Sequence, residues 1–169
     1  RSFEKGVDVS IHAATKYIAG HSDVVMGVIV TNESHWLTVR RTVADYGYGV
    51  SPDDCYLALR GFRTIGVRMN QQMQNALKVA RWLQSLPQVR RVLYPALEGD
   101  PGHAIWKRDF TGAASLFSFV MQPATGAQVA AFINALELFG IGSSWGGFES
   151  LAIVARIERH RTVTQWDAG

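Results

Sequence analysis

Apolar and polar positions change rhythm several times along this chain, and each rhythm predicts an element. Val7, Val9 and Ile11 alternate with Asp8, Ser10 and His12, the period of two expected of a strand with one buried face. VVMGVIV, residues 24–30, is apolar on both faces, as a central strand covered by helices would be. Trp36, Val39 and Val43 then recur at helical spacing behind the capping candidates Asn32 and Ser34, until GYG ends that helix. SPDD at 51–54 marks a stronger start, with Ser51 as N-cap, Pro52 carrying a helical φ, and acids in the first turn.

Beyond that start, Met69, Met73, Ala76, Ala80 and Leu83 trace one face of a 3.6-residue period. The spacing predicts one long helical stretch from about 52 to 85, irregular near Gly61 or Gly66. The methionines on that face suit either a ligand surface or a core; the narrow stripe and its polar opposite face favour the core. Pro87 stops the helix, VRRVLYP reads as a short strand, and the polar loop EGDPGH leads to a short segment around Ile105 and Trp106. A strand from Ala114 to Met121 follows, then a helix with Val129, Phe132, Ile133 and Leu136 on one face. FGIGSSWGGFES, residues 139–150, is a glycine-rich turn. Composition shifts near residue 60: two strands that read as deeply buried precede it, and an α+β alternation follows.

Composition narrows the function classes. With 169 residues, 47% hydrophobic and 18% charged, the chain is expected to be globular, with room for one packed domain or parts of two. The net charge of +3 is scattered, so no basic stripe offers itself to nucleic acid. Cys55 is the single cysteine, which excludes an internal disulfide and multi-cysteine metal sites and suits a reducing, cytoplasmic compartment. Within an expected helix it reads as a small buried hydrophobe rather than a nucleophile. No apolar run reaches the roughly 18 residues of a membrane helix, so a soluble protein with no membrane partner is expected. The start RSFEKGVDV lacks an initiator methionine and a signal-peptide layout, and TVTQWDAG stops without a closing element; both ends read as truncated.

Candidate chemistry gathers in HAATKYIAGHSD, residues 12–23. Lys16 follows the end of the first strand, where open α/β sheets collect ligands, with small residues before it and Gly20 after it. Such an amine can form an imine with an aldehyde and, once released, act as a general base. Spacing alone fits equally an ordinary lysine snorkelling from a strand end. Thr15 could offer a hydroxyl to a phosphate. His12, His21 and Asp23 could be pictured as metal ligands, or around Ser22 as a nucleophile-activating set, but they lack helical i, i+4 spacing and a cysteine, so no metal is expected. His103 reads as a loop residue. FGIGSSWGG is either a phosphate cradle or a plain tight turn, and it lacks the lysine and ordering of a P-loop.

Taken together and in order, SIHAATKYIAGHSDVVMG, SPDDCYLALRGFRT and SSWGGFESL resemble the pyridoxal-phosphate enzymes of cysteine and methionine metabolism, over essentially the whole chain. The SWGGFESL form of the last motif is most similar to the bacterial cystathionine beta-lyase branch. The resemblance implies an α/β fold: residues 1–60 as the C-terminal end of a fold type I (PLP-dependent transferase-like) large domain, and 61–169 as an incomplete small α+β C-terminal domain. It implies that Lys16 bonds the cofactor aldehyde and then removes the substrate Cα proton, that Thr15 holds the phosphate, and that Ser144 and Trp145 hold the substrate carboxylate. Ala13 stands where many relatives carry a phosphate-binding serine, so that contact is expected to be absent or replaced.

The activity implied is carbon-sulfur beta-elimination in methionine biosynthesis and transsulfuration: cystathionine yields homocysteine, pyruvate and ammonia. Cysteine desulfhydration or gamma-elimination on the same fold is the near alternative, and a noncatalytic binding or assembly piece the distant one. Relatives are cytoplasmic homotetramers whose sites draw on two subunits. The family's acidic partner for the pyridine nitrogen, its stacking tyrosine and its phosphate loop would lie upstream of Arg1. The substrate-clamping arginine would lie beyond Gly169. On that reading the chain alone is expected to be catalytically silent.

Overall fold

Ser51 and Asn32 start helices in the way their side chains allow. In the computed structural model, which describes residues 1–157 and 161–164, the Asn32 side chain accepts from the His35 N–H and opens α1 (Glu33–Asp45). The Ser51 Oγ accepts from the Asp54 N–H at 3.0 Å and opens α2 (Pro52–Phe62), with Pro52 in the first turn. The chain divides into two units, Arg1–Gly66 with Gly146–Phe148, and Val67–Trp145 with the chain from Glu149 onward.

In the first unit, β1 (Val9–Ala13) and β2 (Gly27–Thr31) form an antiparallel pair, in register from Val9 opposite Thr31 to Ala13 opposite Gly27. β2 is shorter than the apolar run that announces it. Val24 is buried, whereas Val25 is 91% exposed and outside the ladder. The expectation of two deeply buried strands does not hold among the described residues: Ile11 is 74% exposed and Ile29 43%. A strand reads as apolar on both faces when two layers cover it, and here α1 lies against β2 without supplying both. α1 itself buries no residue fully, and Trp36 stands out of it with Arg40 over its ring at 5.9 Å.

The long helix expected over 52–85 is two helices, α2 and α3 (Ile65–Gln84). Thr64 makes the break. Both its N–H and its hydroxyl donate to the Gly61 carbonyl at 3.1 Å, an i to i−3 capture that takes the acceptor a continuing helix would use.

In the second unit the predicted face of α3 packs as a core. Ala76, Ala80 and Leu83 are buried with Val92, Tyr94 and Leu97, flanked by Phe117 and Phe119. Met73 lies at the edge of this packing, where its sulfur accepts from the Ala113 N–H at 3.2 Å. β3 (Val89–Leu93) pairs antiparallel with β4 (Ser118–Met121), with an irregularity between Val89 and Arg91. β4 begins four residues later than the sequence suggests, because Leu93 opposite Ser118 is the last pair β3 can offer. Upstream of it, Ala114 bonds elsewhere: its carbonyl accepts from the buried Tyr94 hydroxyl at 2.6 Å. Asp100 ties the connecting loop by accepting from the Tyr94 and Gly102 N–H groups at 3.0 and 2.7 Å, ahead of α4 (His103–Asp109). α5 (Gly126–Asn134) opens with a capping box between Thr125 and Gln128 and sets Phe132 edge-on to Phe119. Leu136, expected on its apolar face, follows the helix end. Finally β5 (Gly140–Ile141) and β6 (Leu151–Ala152) pair in parallel around the glycine-rich turn. None of the described helices is long and apolar enough to cross a membrane.

Candidate active site

The lysine singled out by sequence sits three residues beyond β1, in a turn whose own backbone fixes it. The Lys16 N–H donates to the Ala13 carbonyl at 3.0 Å, and the Lys16 carbonyl accepts from the Gly20 N–H at 2.8 Å. Inside that loop the Ala19 N–H reaches the Ala14 carbonyl at 2.8 Å. Ala14 and Ala19 are buried, while Thr15, Lys16, Tyr17 and Ile18 are partly buried. Gly20 takes φ +73°, a left-handed value that lets the loop close at small cost. Both backbone polar groups of Lys16 are thus used within the turn, so its Cα is placed by local bonds rather than by the long side chain.

Thr15 anchors the same turn to the strand entry opposite. Its N–H donates to the Met26 carbonyl at 3.1 Å, and its Oγ accepts from the Met26 N–H at 2.8 Å. The hydroxyl also lies 3.3 Å from the Met26 carbonyl oxygen, long for an O–H···O bond. One lone pair of Oγ is therefore committed, and its proton is available to a better acceptor.

Two glycines approach this turn closely within the first unit. A Cβ at Gly146, whose φ is +78°, would come within 2.8 Å of the Tyr17 nitrogen and 3.0 Å of the Lys16 carbonyl carbon. A Cβ at Gly61, in α2, would come within 2.6 Å of the Ile18 carbonyl oxygen and 2.7 Å of the Ala19 carbonyl carbon. His21 borders the same peptide. Its Nδ1 lies 2.7 Å from the Ala19 oxygen, and since a carbonyl only accepts, Nδ1 must carry the proton. That bond fixes the tautomer and orientation of the His21 ring.

Of the sequence-predicted residues, Thr15 and Lys16 are adjacent in this turn. Ser144 and Trp145 lie in the loop between β5 and β6, in the second unit, with Trp145 40% exposed. The residues that follow them, Gly146–Phe148, belong to the first unit. Sequence reasoning missed the parts played by Met26, Gly61 and His21. Gly61 alone left a signal, as an isolated glycine within a helical pattern, which costs about 1 kcal/mol against alanine and so invites a packing reason.

The donor set can be tested against a phosphorylated aldehyde. Such a group needs an amine on ordered backbone, a hydroxyl with a proton to give to the phosphate, and small side chains beside both. Lys16, Thr15, and Ala13 with Ala14 meet those needs, and the geometry of Thr15 Oγ leaves its proton for the purpose. A lysine on locally bonded backbone beside a hydroxyl is a donor set that suits such a group.

Comparison with known proteins specifies the class. The chain belongs to the Cys/Met metabolism PLP-dependent enzyme family, whose sequence model matches residues 1–167. It is 46% identical to a putative cystathionine beta-lyase of Rhizobium johnstonii, over 98% of this chain and 42% of that protein. It is 45% identical to the cystathionine beta-lyase MetC of Escherichia coli, over 94% of this chain and 40% of that protein. Among solved structures, a cystathionine gamma synthase from Xanthomonas oryzae pv. oryzae superposes with a TM-score of 0.84 at 36% identity, over 88% of this chain and 38% of that one. These matches are consistent with fold type I. The chain spans about two fifths of the length of the relatives it matches.

Proposed function

We propose that this protein is a pyridoxal-phosphate-dependent carbon-sulfur lyase that carries out beta-elimination on cystathionine. The reading rests on one observation above all: Lys16 stands on a turn where its own N–H and carbonyl are both bonded locally, beside a threonine hydroxyl whose proton has only a long 3.3 Å contact to the Met26 carbonyl. Lys16 would bond the cofactor aldehyde and Thr15 would donate to its phosphate. When bound, the cofactor supplies an electron sink for the carbanion formed at the substrate Cα. The chain's own residues do the rest. Lys16 Nζ would take the Cα proton, and Ser144 with the Trp145 backbone would hold the substrate carboxylate. A thiolate then leaves from Cβ; with one water, cystathionine becomes homocysteine, pyruvate and ammonia. The two named beta-lyases favour this outcome over gamma-elimination.

The same reading assigns residues 1–60 to the end of the large cofactor domain and 61–169 to a small α+β C-terminal domain. It makes the protein a cytoplasmic homo-oligomer, tetrameric like its relatives, acting on a small amino-acid substrate. Borohydride reduction in the presence of pyridoxal phosphate, followed by peptide mass spectrometry, is expected to leave the pyridoxyl group on Lys16. Turnover of cystathionine by the full-length gene product should release pyruvate, the chain of residues 1–169 alone should release none, and Lys16→Ala in the full-length protein should abolish the adduct and lower turnover by at least about 10²–10⁴-fold, the worth of a positioned base. Labelling at another lysine, or 2-oxobutyrate as the main product, would refute the assignment.

A further inference from the structure

We propose that Gly61 is a positioning residue for Lys16: α2 bears on the Ile18 and Ala19 carbonyls through a position where only glycine fits, and the His21 imidazole donates to the Ala19 carbonyl. The inference rests on the Lys16 reading above. Gly61 is buried in the last turn of α2. A methyl there would meet the Ala19 carbonyl oxygen head-on and lie 2.6 Å from the Ile18 oxygen and 2.7 Å from the Ala19 carbon. Those neighbours are backbone, with no flexible side chain to swing aside. Nor can the Ala19 carbonyl rotate away cheaply, because it accepts from His21 Nδ1–H at 2.7 Å. The Ile18–Ala19 and Ala19–Gly20 peptides are further tied to the turn: Ala19 N–H bonds the Ala14 carbonyl and Gly20 N–H bonds the Lys16 carbonyl, both at 2.8 Å. Pushing on Ile18–Ala19 therefore moves the turn from Ala14 to Gly20 as a block, and Lys16 with it.

Gly66 provides the contrast. It lies in the first turn of α3, only five residues on, and a Cβ there would meet nothing within 4 Å. The two glycines have similar local propensities and differ in what they face.

The test uses the full-length gene product in four variants, Gly61→Ala, Gly66→Ala, His21→Ala and His21→Asn. Each is incubated with pyridoxal phosphate, reduced with borohydride across a pH series, and digested to quantify the adduct on Lys16, with a thermal melt in parallel. Displacement of a reacting group by about 1 Å costs on the order of 10²-fold, so Gly61→Ala is expected to lose at least about tenfold in adduct rate while still melting cooperatively. Gly66→Ala should match the wild type in both.

If Gly61→Ala fails to fold, the His21 pair decides. His21 is exposed, so loss of its donor in His21→Ala should leave folding intact and slow trapping, and His21→Asn, which keeps a donor at the same reach, should restore the rate. A folded Gly61→Ala that traps like the wild type overturns the proposal, as does an unfolded Gly61→Ala with a His21→Ala that traps normally. No adduct on wild-type Lys16 overturns the cofactor reading and this proposal with it, an outcome distinct from a normal wild type and an unaffected variant.

Discussion

Replacing Thr15 with valine exchanges a hydroxyl for a methyl and removes two roles at once. The first is structural: Oγ accepts the Met26 N–H at 2.8 Å, across the mouth of the turn that carries Lys16. A typical net hydrogen bond is worth about 1 kcal/mol, and a partly buried N–H left without an acceptor costs up to about 3 kcal/mol. Through local opening, those values correspond to exchange of the Met26 amide faster by about five- to 150-fold. The second role is toward ligand: a bond from hydroxyl to a charged phosphate is worth about 1.5–3 kcal/mol, so pyridoxal phosphate should bind about ten- to 150-fold more weakly. Thr15→Ser keeps the oxygen and should stay near the wild type in both measurements. Hydrogen exchange at Met26 followed by NMR or mass spectrometry reads the first effect, and a cofactor titration reads the second. Unchanged Met26 exchange in Thr15→Val would refute the anchoring role of Oγ. Serine behaving like valine would show that the hydroxyl alone does not account for the role of this position.

Two further changes probe the units separately. Leu83→Ala empties part of the cluster with Ala80, Val92 and Tyr94; it should cost about 2–5 kcal/mol, read as a lower urea midpoint at unchanged m-value, and a loss under about 1 kcal/mol would mean that α3 is not packed as described. Ser51→Ala removes the acceptor for the Asp54 N–H and should cost about 1 kcal/mol in a thermal melt, with Ser51→Asp close to the wild type; an aspartate variant as unstable as the alanine one would argue against the cap.

Much of the local architecture was legible before any coordinates. Ser51, Pro52 and Asn32 announced their helices because capping is a contact between a side chain and backbone three residues on. The face from Met69 to Leu83 was legible for a similar reason, since helical spacing brings those side chains to one side whatever they later touch. The candidate lysine was legible through motif and resemblance. The strands were less so: an apolar run gives neither the limits of a ladder nor the layer that covers it, and β2 ends up shorter and barer than its composition suggests. The break between α2 and α3 depends on Thr64 capturing the Gly61 carbonyl, a competition between hydrogen bonds that periodicity does not register.

On its own, then, the sequence determined where helices begin, which face of α3 is apolar, and that Lys16 and Thr15 stand in a motif resembling that of the family to which the chain belongs. Tertiary structure alone decided that the Oγ of Thr15 is shared with Met26, that His21 bonds the Ala19 carbonyl, and that Gly61 lies against the lysine turn from more than 40 residues away in sequence. The physical reason is the same in each case. Propensity and periodicity record what a side chain does near its own backbone, whereas a glycine whose job is to leave room, or a backbone N–H waiting for an acceptor, has no side chain with which to leave a pattern.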